Sequence, residues 1–445
     1  MAKASAGLLG IVLLARHGDR LGFYQDPFTY TASDTSITPL GSVQEFQLGQ
    51  LIRSLYVEDN SPFRIEGISS GLFDEAQVKA RADAGGEGSV ILDSAASLLQ
   101  GLFPPTRNHN ITLANGTLVV APLHGYQYVP VESVEPDCDI SLEAWVNCKA
   151  FDEATQAFYN SSLFIQVEEE NADFLQSLKP YLDGRSVSLM NMWNIFDFMN
   201  VESIHNATFA KRLPPGALAH ARALANFHEY GVFSSPRVDG IGNIAGRAIV
   251  PTIIQGMERI ANNSDPLKFF YEAISYKPFI SLFNMTGLAN EYPELAGVVN
   301  YAAAVVFELR EGYEKNDPLI RFKFKNETDS KEFKTFDLFG RRGDVPLSLF
   351  KSKLLPAAIN NTAEWCAACN NGESGGCEGL GATKVIGWGI ELTAMEFGAL
   401  IIALLACMFF VFVYPLSSRR TGTKRVDTSS STEKVASKYT KFYIL

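Results

Sequence analysis

Residues 8–15 (LLGIVLLA) form an unbroken apolar run that leads straight into Arg16-His17-Gly18-Asp19-Arg20. The run reads as a buried β-strand, so the charged pentapeptide falls at the strand's mouth. A histidine between two guanidiniums in that place is shaped for phosphate. An imidazole nitrogen can attack phosphorus, and arginines match phosphoryl oxygens with forked, charge-assisted donors. Gly18 reads as the residue that lets backbone approach a ligand closely.

The pieces that follow fit an α/β sheet with covering helices. Thr38-Pro39 reads as an N-cap with proline at the first helical position, and the helix is expected to place Val43, Phe46, Leu51, Ile52 and Leu55 on one face. The Ala/Gly-rich residues 77–89 read as a loop, 93–102 as a helix stopped by Pro104-Pro105, and 117–121 as a short strand. Between 137 and 245 the pattern is helical, clearest over 218–230, and marks an inserted lobe. Strand character resumes at 268–274. Residues 301–309 and 319–325 read as a hairpin in which Ile320, Phe322 and Phe324 face the core while Arg321, Lys323 and Lys325 face water.

Composition then narrows the setting. A chain of 445 residues with 47% hydrophobic and 11% aromatic content can build a sizeable core. Its net charge of −11 and pI near 5.2 argue against a nucleic-acid surface, so an anionic substrate must be drawn by a local arginine cluster. Residues 397–416 (FGALIIALLACMFFVFVYPL) carry no charge and are long enough to span a bilayer as one helix. Beyond them stand Arg419, Arg420, Lys424, Arg425, Lys434, Lys438 and Lys441 against Asp427 and Glu433, while Glu391 and Glu396 precede the span. By the positive-inside rule the tail faces the cytosol and everything before the span faces the lumen or the outside.

Glycosylation sequons agree with that orientation, since Asn110, Asn115, Asn160, Asn206, Asn262, Asn284, Asn326 and Asn360 all precede the span. Cys138, Cys148, Cys366, Cys369 and Cys377 lie on the same side, where disulfides are permitted, and Cys407 lies inside the span. For Cys366-Ala-Ala-Cys369 a structural disulfide is favoured over redox or zinc chemistry, because no second CxxC or histidine pair accompanies it. Residues 8–15 are preferred as a strand over a cleaved signal, which would cut beside His17; the export signal is expected upstream, with an uncleaved dual role as the alternative.

The order of these pieces resembles the histidine acid phosphatase branch of the histidine phosphatase superfamily, from about residue 8 to 370. The pentapeptide resembles the family's RHGxR signature. Thr38-Pro39-Leu40-Gly41 with Gln44 and Leu48-Gly49 resembles its next helix, and Asp93-Ser94-Ala95 through Gly101-Leu102-Phe103-Pro104-Pro105 its following segment. Tyr128-Val129-Pro130-Val131 and Cys148 are similar to the entry into the helical lobe, and Tyr301-Ala302 to Glu308-Leu309 to the late hairpin.

The resemblance implies a phosphoglycerate mutase-like α/β sandwich with a central, mostly parallel sheet and an inserted helical lobe, to which the sequence adds one C-terminal transmembrane helix. The parts are expected at 1–136 and 246–360 for the core, 137–245 for the lobe, 361–396 for a Cys/Gly-rich juxtamembrane stalk, 397–416 for the span and 417–445 for the tail. It also implies that His17 is the nucleophile of a phosphohistidine intermediate, with Arg16 and Arg20 on the phosphoryl oxygens and with no metal or cofactor. The partners expected are a small phosphorylated substrate and a membrane.

Several family positions are changed. Gly22 stands for a proline, Val90 for a third phosphate-binding arginine, and Ser275 and Tyr276 for a His-Asp pair whose aspartate protonates the leaving oxygen. Arg81, or less well Lys79, could supply the missing cation, and Glu272 the missing acid. A positioned general acid is worth roughly 10²- to 10⁴-fold, and a charge-assisted bond to phosphate about 1.5–3 kcal/mol. The expectation is therefore a slow acid phosphatase that favours good leaving groups. The alternative is an inactive relative that binds a phosphorylated ligand or serves as a surface glycoprotein; transfer of the mutase kind fits an exported chain badly. The serine and threonine run at 428–432 reads as a solvated tail.

Overall fold

The apolar run folds as β1 (Leu8–Arg16), buried at every position but the half-buried Leu9 because it lies inside a sheet and not at its edge. The computed structural model describes residues 7–22, 35–87, 89–312, 317–372 and 377. Its strands continue as β2 (Val78–Asp83), β3 (Asn110–Thr112), β4 (Leu118–Val120), β5 (Val131–Val134), β6 (Phe269–Ile274), β7 (Ala304–Arg310), β8 (Leu319–Lys325), β9 (Lys334–Phe336) and β10 (Val345–Pro346). Eight of them form one sheet in the order β10-β8-β7-β1-β6-β2-β5, with β9 paired to β8; β3 and β4 make a separate hairpin.

This sheet is mixed, which corrects the expectation of a mostly parallel one. β1, β6, β2 and β5 run parallel, whereas β7, β8, β9 and β10 join antiparallel. The cause lies in the connections: short links such as 311–318 can only return a strand beside its neighbour in the opposite sense.

Residues 77–89 are not all loop. Val78, Ala80 and Ala82 form the apolar face of β2 between β6 and β5, and Arg81 is tolerated inside because it meets Glu272 of β6. In β8 the supposed water-facing side is covered as well. Lys323 is buried with its ammonium on Glu308 and over the ring of Phe63, and buried Lys325 donates to Thr328 O.

The helix Pro39–Tyr56 starts as expected, with Thr38 Oγ1 accepting from Gly41 N at 3.1 Å and Pro39 at its head. Its buried stripe, however, is Gly41, Glu45, Leu48, Gly49, Ile52 and Tyr56, so Val43, Phe46, Leu51 and Leu55 lie to the side. The stripe is set by close packing on the helix Val90–Leu102: a Cβ on Gly49 would lie 1.9 Å from Leu98 O, and one on Gly101 2.1 Å from Phe46 O. Two small residues let the helices touch backbone to backbone.

Between β5 and β6 the chain is helical, through Lys149–Tyr159, Met192–His205, Ala217–Val232 and Ile244–Ala261 among others. These helices share one hydrophobic cluster with Val12 and Leu14 of β1, so the lobe rests on a face of the sheet. Residues 361–372 do not form a stalk. The helix Thr362–Cys369 buries Trp365, whose Nε1 donates to Ala144 O at 2.7 Å; the disulfide Cys148–Cys369 clasps it to the body, and Cys366–Cys377 joins it to the buried Cys377. Cys366 and Cys369 thus pair elsewhere, not with each other, and Cys138 is exposed and unpaired.

Residues 397–416 and the tail lie outside the described residues. Among the described ones no helix is long and apolar enough to cross a membrane. Six of the sequon asparagines are exposed; Asn284 and Asn326 are half-buried, with their side-chain oxygens engaged by Ser235 N and Asn300 N.

Candidate functional site

The site grows from the C-terminal end of β1, which is pinned on three sides. Arg16 N donates to Ala303 O at 2.9 Å, His17 N to Ile274 O at 3.2 Å, and Ala302 N to His17 O at 3.2 Å. The next turn is held by Gly18 N donating to Ser94 Oγ at 3.1 Å, and by the fully buried Asp19, whose carboxylate accepts from Thr38 Oγ1 and sits 2.8 Å from His205 Nε2. Gly18 is needed for a different reason than ligand approach. A Cβ there would lie 2.5 Å from Gly41 O, so its bare face belongs to the neighbouring helix.

His17 is 1% exposed, and its Nδ1 lies 2.8 Å from Gly18 O. A carbonyl can only accept, so Nδ1 carries the proton and Nε2 keeps its lone pair. Burial pushes the imidazole below its ordinary pKa, with Arg16 and Arg20 adding to the effect and Glu87 opposing it. Arg16 is fixed by donating to Val299 O and by the rings of Tyr301 and Tyr276, whose centroids lie 4.6 and 5.1 Å from the guanidinium carbon. Arg20 pairs with Asp197 at 3.1 Å and faces Glu87 at 3.5 Å.

Arg16, Arg20, Glu87, Asp197, Tyr276 and Lys277 line a cavity of about 210 Å³, whose far wall includes Trp193, Phe196 and Arg222 from the helical lobe. Arg16 Nε, His17 Nε2 and Ser275 Oγ are buried here without an aligned hydrogen-bond partner. Three such atoms at the ends of two neighbouring strands are costly unless a polar ligand completes them.

The altered positions are now placed. Val90 begins the helix Val90–Leu102 and is buried in the apolar cluster, so it offers nothing to an anion. Neither proposed replacement reaches the cavity. Arg81 is spent on Glu272 at 3.0 Å and on Asp139 and Glu132, and half-exposed Lys79 pairs with Glu132 at 3.1 Å. Glu272 is fully buried against Arg81, away from the site. Tyr276 donates its only proton to Glu229 Oε2 at 2.6 Å, and Glu229 also binds His228, which meets Tyr159 OH. Gly22 is exposed, and a Cβ added there would lie 3.6 Å from Val201 Cβ.

Sequence reasoning missed Glu87, Asp197 and Lys277. Glu87 Oε2 stands 3.2 Å from His17 Nε2, poorly aligned for a hydrogen bond. Burial alone would raise its carboxyl, but neighbouring positive charge, including that of Arg20 and Lys277, outweighs burial and holds it well below the usual range. Only the Gly85-Gly86 turn ahead of it could have hinted at a loop folded back over the strand ends.

A mixed α/β sheet with a guanidinium-flanked histidine at a strand end is the frame of a known group of proteins. The sequence profile of the histidine phosphatase superfamily (branch 2) matches residues 21–325, and the chain belongs to that family. By family it is a phosphatase-type hydrolase. It is 22% identical over 370 residues to prostatic acid phosphatase of Bos taurus, covering 81% of this chain and 88% of the relative. It is also 22% identical to lysosomal acid phosphatase of Homo sapiens, covering 72% of this chain and 71% of that one. Among solved structures, the phytase of Klebsiella sp. ASR1 superimposes with a TM-score of 0.55 at 12% identity, over 80% of this chain and 98% of its own. A Hafnia alvei phytase bound to tartrate superimposes at 0.52 and 12%, over 83% and 99%.

Proposed function

We propose that this chain hydrolyses phosphate monoesters through a phosphohistidine on His17, with Arg16 and Arg20 holding the phosphoryl oxygens. The observation that carries the reading is the state of His17: its Nδ1 is tied to Gly18 O, so Nε2 is left as a buried lone pair between two guanidiniums beside a cavity. That nitrogen attacks phosphorus, the ester oxygen departs, and water then cleaves the phosphorus–nitrogen bond. The arginines supply position and charge and take no proton. Burial lowers the imidazole pKa below its ordinary value, which favours the neutral, nucleophilic form.

Turnover is slow on poor leaving groups, because Ser275, Tyr276 and Glu272 each fail as a donor to the departing oxygen. Relatives named lysosomal and prostatic acid phosphatases, together with two disulfides, support a luminal or secreted body, and the apolar residues 397–416 support a single-pass tether. The commitment of Tyr276 to Glu229 and of Glu272 to Arg81, with only a weakly acidic serine hydroxyl left at Ser275, also favours a second reading, a protein that binds phosphorylated ligands without cleaving them. Purified full-length chain assayed on p-nitrophenyl phosphate beside His17→Ala tests both. Loss of activity to background in the variant, with ³²P trapped on wild-type protein, supports hydrolysis; equal rates in the two sink it.

A further inference from the structure

The family frame calls for a third cation on the phosphoryl group, and Val90, Arg81 and Lys79 all fail to supply one. Glu87 marks where to look. Its carboxylate lies 3.2 Å from His17 Nε2 and 3.5 Å from Arg20 Nε. A phosphoryl oxygen must come to that place when phosphorus reaches attacking distance of the imidazole. The carboxylate is thus a stand-in anion carried by the chain itself, and the groups converging on it are those that will hold the substrate. Arg16 ends β1, Arg20 follows in the next turn, and Lys277, at the head of the helix Lys277–Met285, lines the same cavity as both arginines and Glu87.

Lys277 is built for the task. It is 2% exposed, lines the cavity, and holds its ammonium 4.9 Å from the ring centroid of Trp145 and 5.6 Å from that of Tyr276. Aromatic faces steady a cation without neutralising it. We propose that Lys277 is the third phosphoryl-binding cation of this site, and that Glu87 is a place-holder which the incoming phosphoryl group displaces.

A structural duty for Lys277, as counter-ion to Asp83 and Glu143, explains less. Burial pushes Glu143 up to about 7, and burial together with Glu143 raises Asp83 well above the carboxylate range. Both shifts favour the neutral form in acid, whereas Glu87 is shifted the other way, towards its charged form. The groups facing Glu87 are then His17, Arg16, Arg20, Lys277 and the phenol of Tyr276, with Asp83 and Glu143 behind it.

The inference rests on the phosphatase reading but is tested without turnover, by calorimetric titration of the full-length chain with inorganic phosphate at mildly acidic pH. Lys277→Met should weaken phosphate binding by on the order of 10- to 100-fold, and Lys277→Arg should restore most of it. Glu87→Gln should tighten binding several-fold by removing the competing charge. Unchanged phosphate affinity in Lys277→Met, with only the melting temperature lowered, would show a structural counter-ion and overturn the proposal; so would unchanged affinity in Glu87→Gln, which reports even if Lys277→Met does not fold. A chain that binds phosphate in this pattern yet never hydrolyses an ester would refute the hydrolase reading and leave the cradle standing.

Discussion

The ends of β1 and β6 lie side by side in parallel register, Arg16 opposite Ile274, yet they have kept different things. At the end of β1 stand the three residues on which the phosphatase reading rests: His17, Arg16 and Arg20 are buried and each is fixed by named partners. At the end of β6 the leaving-group side has been rebuilt around Ser275, Tyr276 and Lys277, and the tyrosine's proton points inward to Glu229. On the proposed reading, holding a phosphoryl group and releasing an alcohol fall to different strand ends. The first needs positive charge at one strand end, and the second needs a proton donor at the other.

The largest expected effect comes from asking the β6 side for a proton. Without an acid there, kcat/KM for p-nitrophenyl phosphate should exceed that for glycerol phosphate by about 10²- to 10⁴-fold. Steady-state rates on the two substrates measure the gap, and equal rates would mean that a donor stands at the β6 end after all. Next comes damage to the β1 side. Arg20→Ala removes a forked donor together with the link to Asp197, and kcat/KM on p-nitrophenyl phosphate should fall on the order of 10²- to 10³-fold. Arg20→Lys should recover only part of this, because an ammonium lacks the planar fork. A fall of less than threefold would detach Arg20 from the reaction.

The same contrast explains what could be read before any fold was known. The β1 end was legible because its signal is local: an apolar run stops and five residues later two arginines and a histidine have passed. The hairpin of β7 and β8 and the helical lobe were legible through their periods. β2 was hidden, since VKARAD looks like a polar loop until Glu272, 191 residues away, neutralises Arg81. Glu87, Asp197 and Lys277 come from three distant segments, and no spacing rule brings them to His17. The clasp was equally closed to reading, because Cys148 and Cys369 are separated by 221 positions and only tertiary contact selects that pair among five cysteines. Gly18 was recognised as necessary, but its reason, the backbone of Gly41, is a tertiary one.

Tyr276→Phe sharpens the comparison from the structural side. Its hydroxyl donates into the buried chain Tyr276–Glu229–His228–Tyr159 and not into the cavity. Removing it takes a charge-assisted bond from Glu229 and should lower unfolding stability by about 1.5–3 kcal/mol. Activity on p-nitrophenyl phosphate should stay within about threefold of wild type, as for a change that leaves the reacting groups untouched. Urea unfolding read beside initial rates decides the matter. A large rate loss at unchanged stability would return Tyr276 to the catalytic side.

The smallest effect is a pH slope, and it separates the two strand ends by sign. Behind Lys277, Glu143 is pushed up to about 7 from an ordinary 4.5 by burial, with Asp83 raised beside it. Groups whose folded pKa is raised give stability that is fully present below the unfolded value and is lost as pH climbs through the folded one. Glu87, beside the β1 end, works in the opposite sense: its pKa is held down by positive charge that includes Arg20 and Lys277, so its contribution is present above the unfolded value and lost as pH falls through the folded one. The chain should consequently lose stability between pH 5 and pH 8 through Glu143. Glu143→Gln, neutral at every pH, should remove about 1–2 kcal/mol of that loss in urea midpoints measured at both pH values. If variant and wild type keep the same slope, the proton lost in that interval does not belong to Glu143, and the ammonium of Lys277 has an ionised neighbour behind it that competes with phosphate.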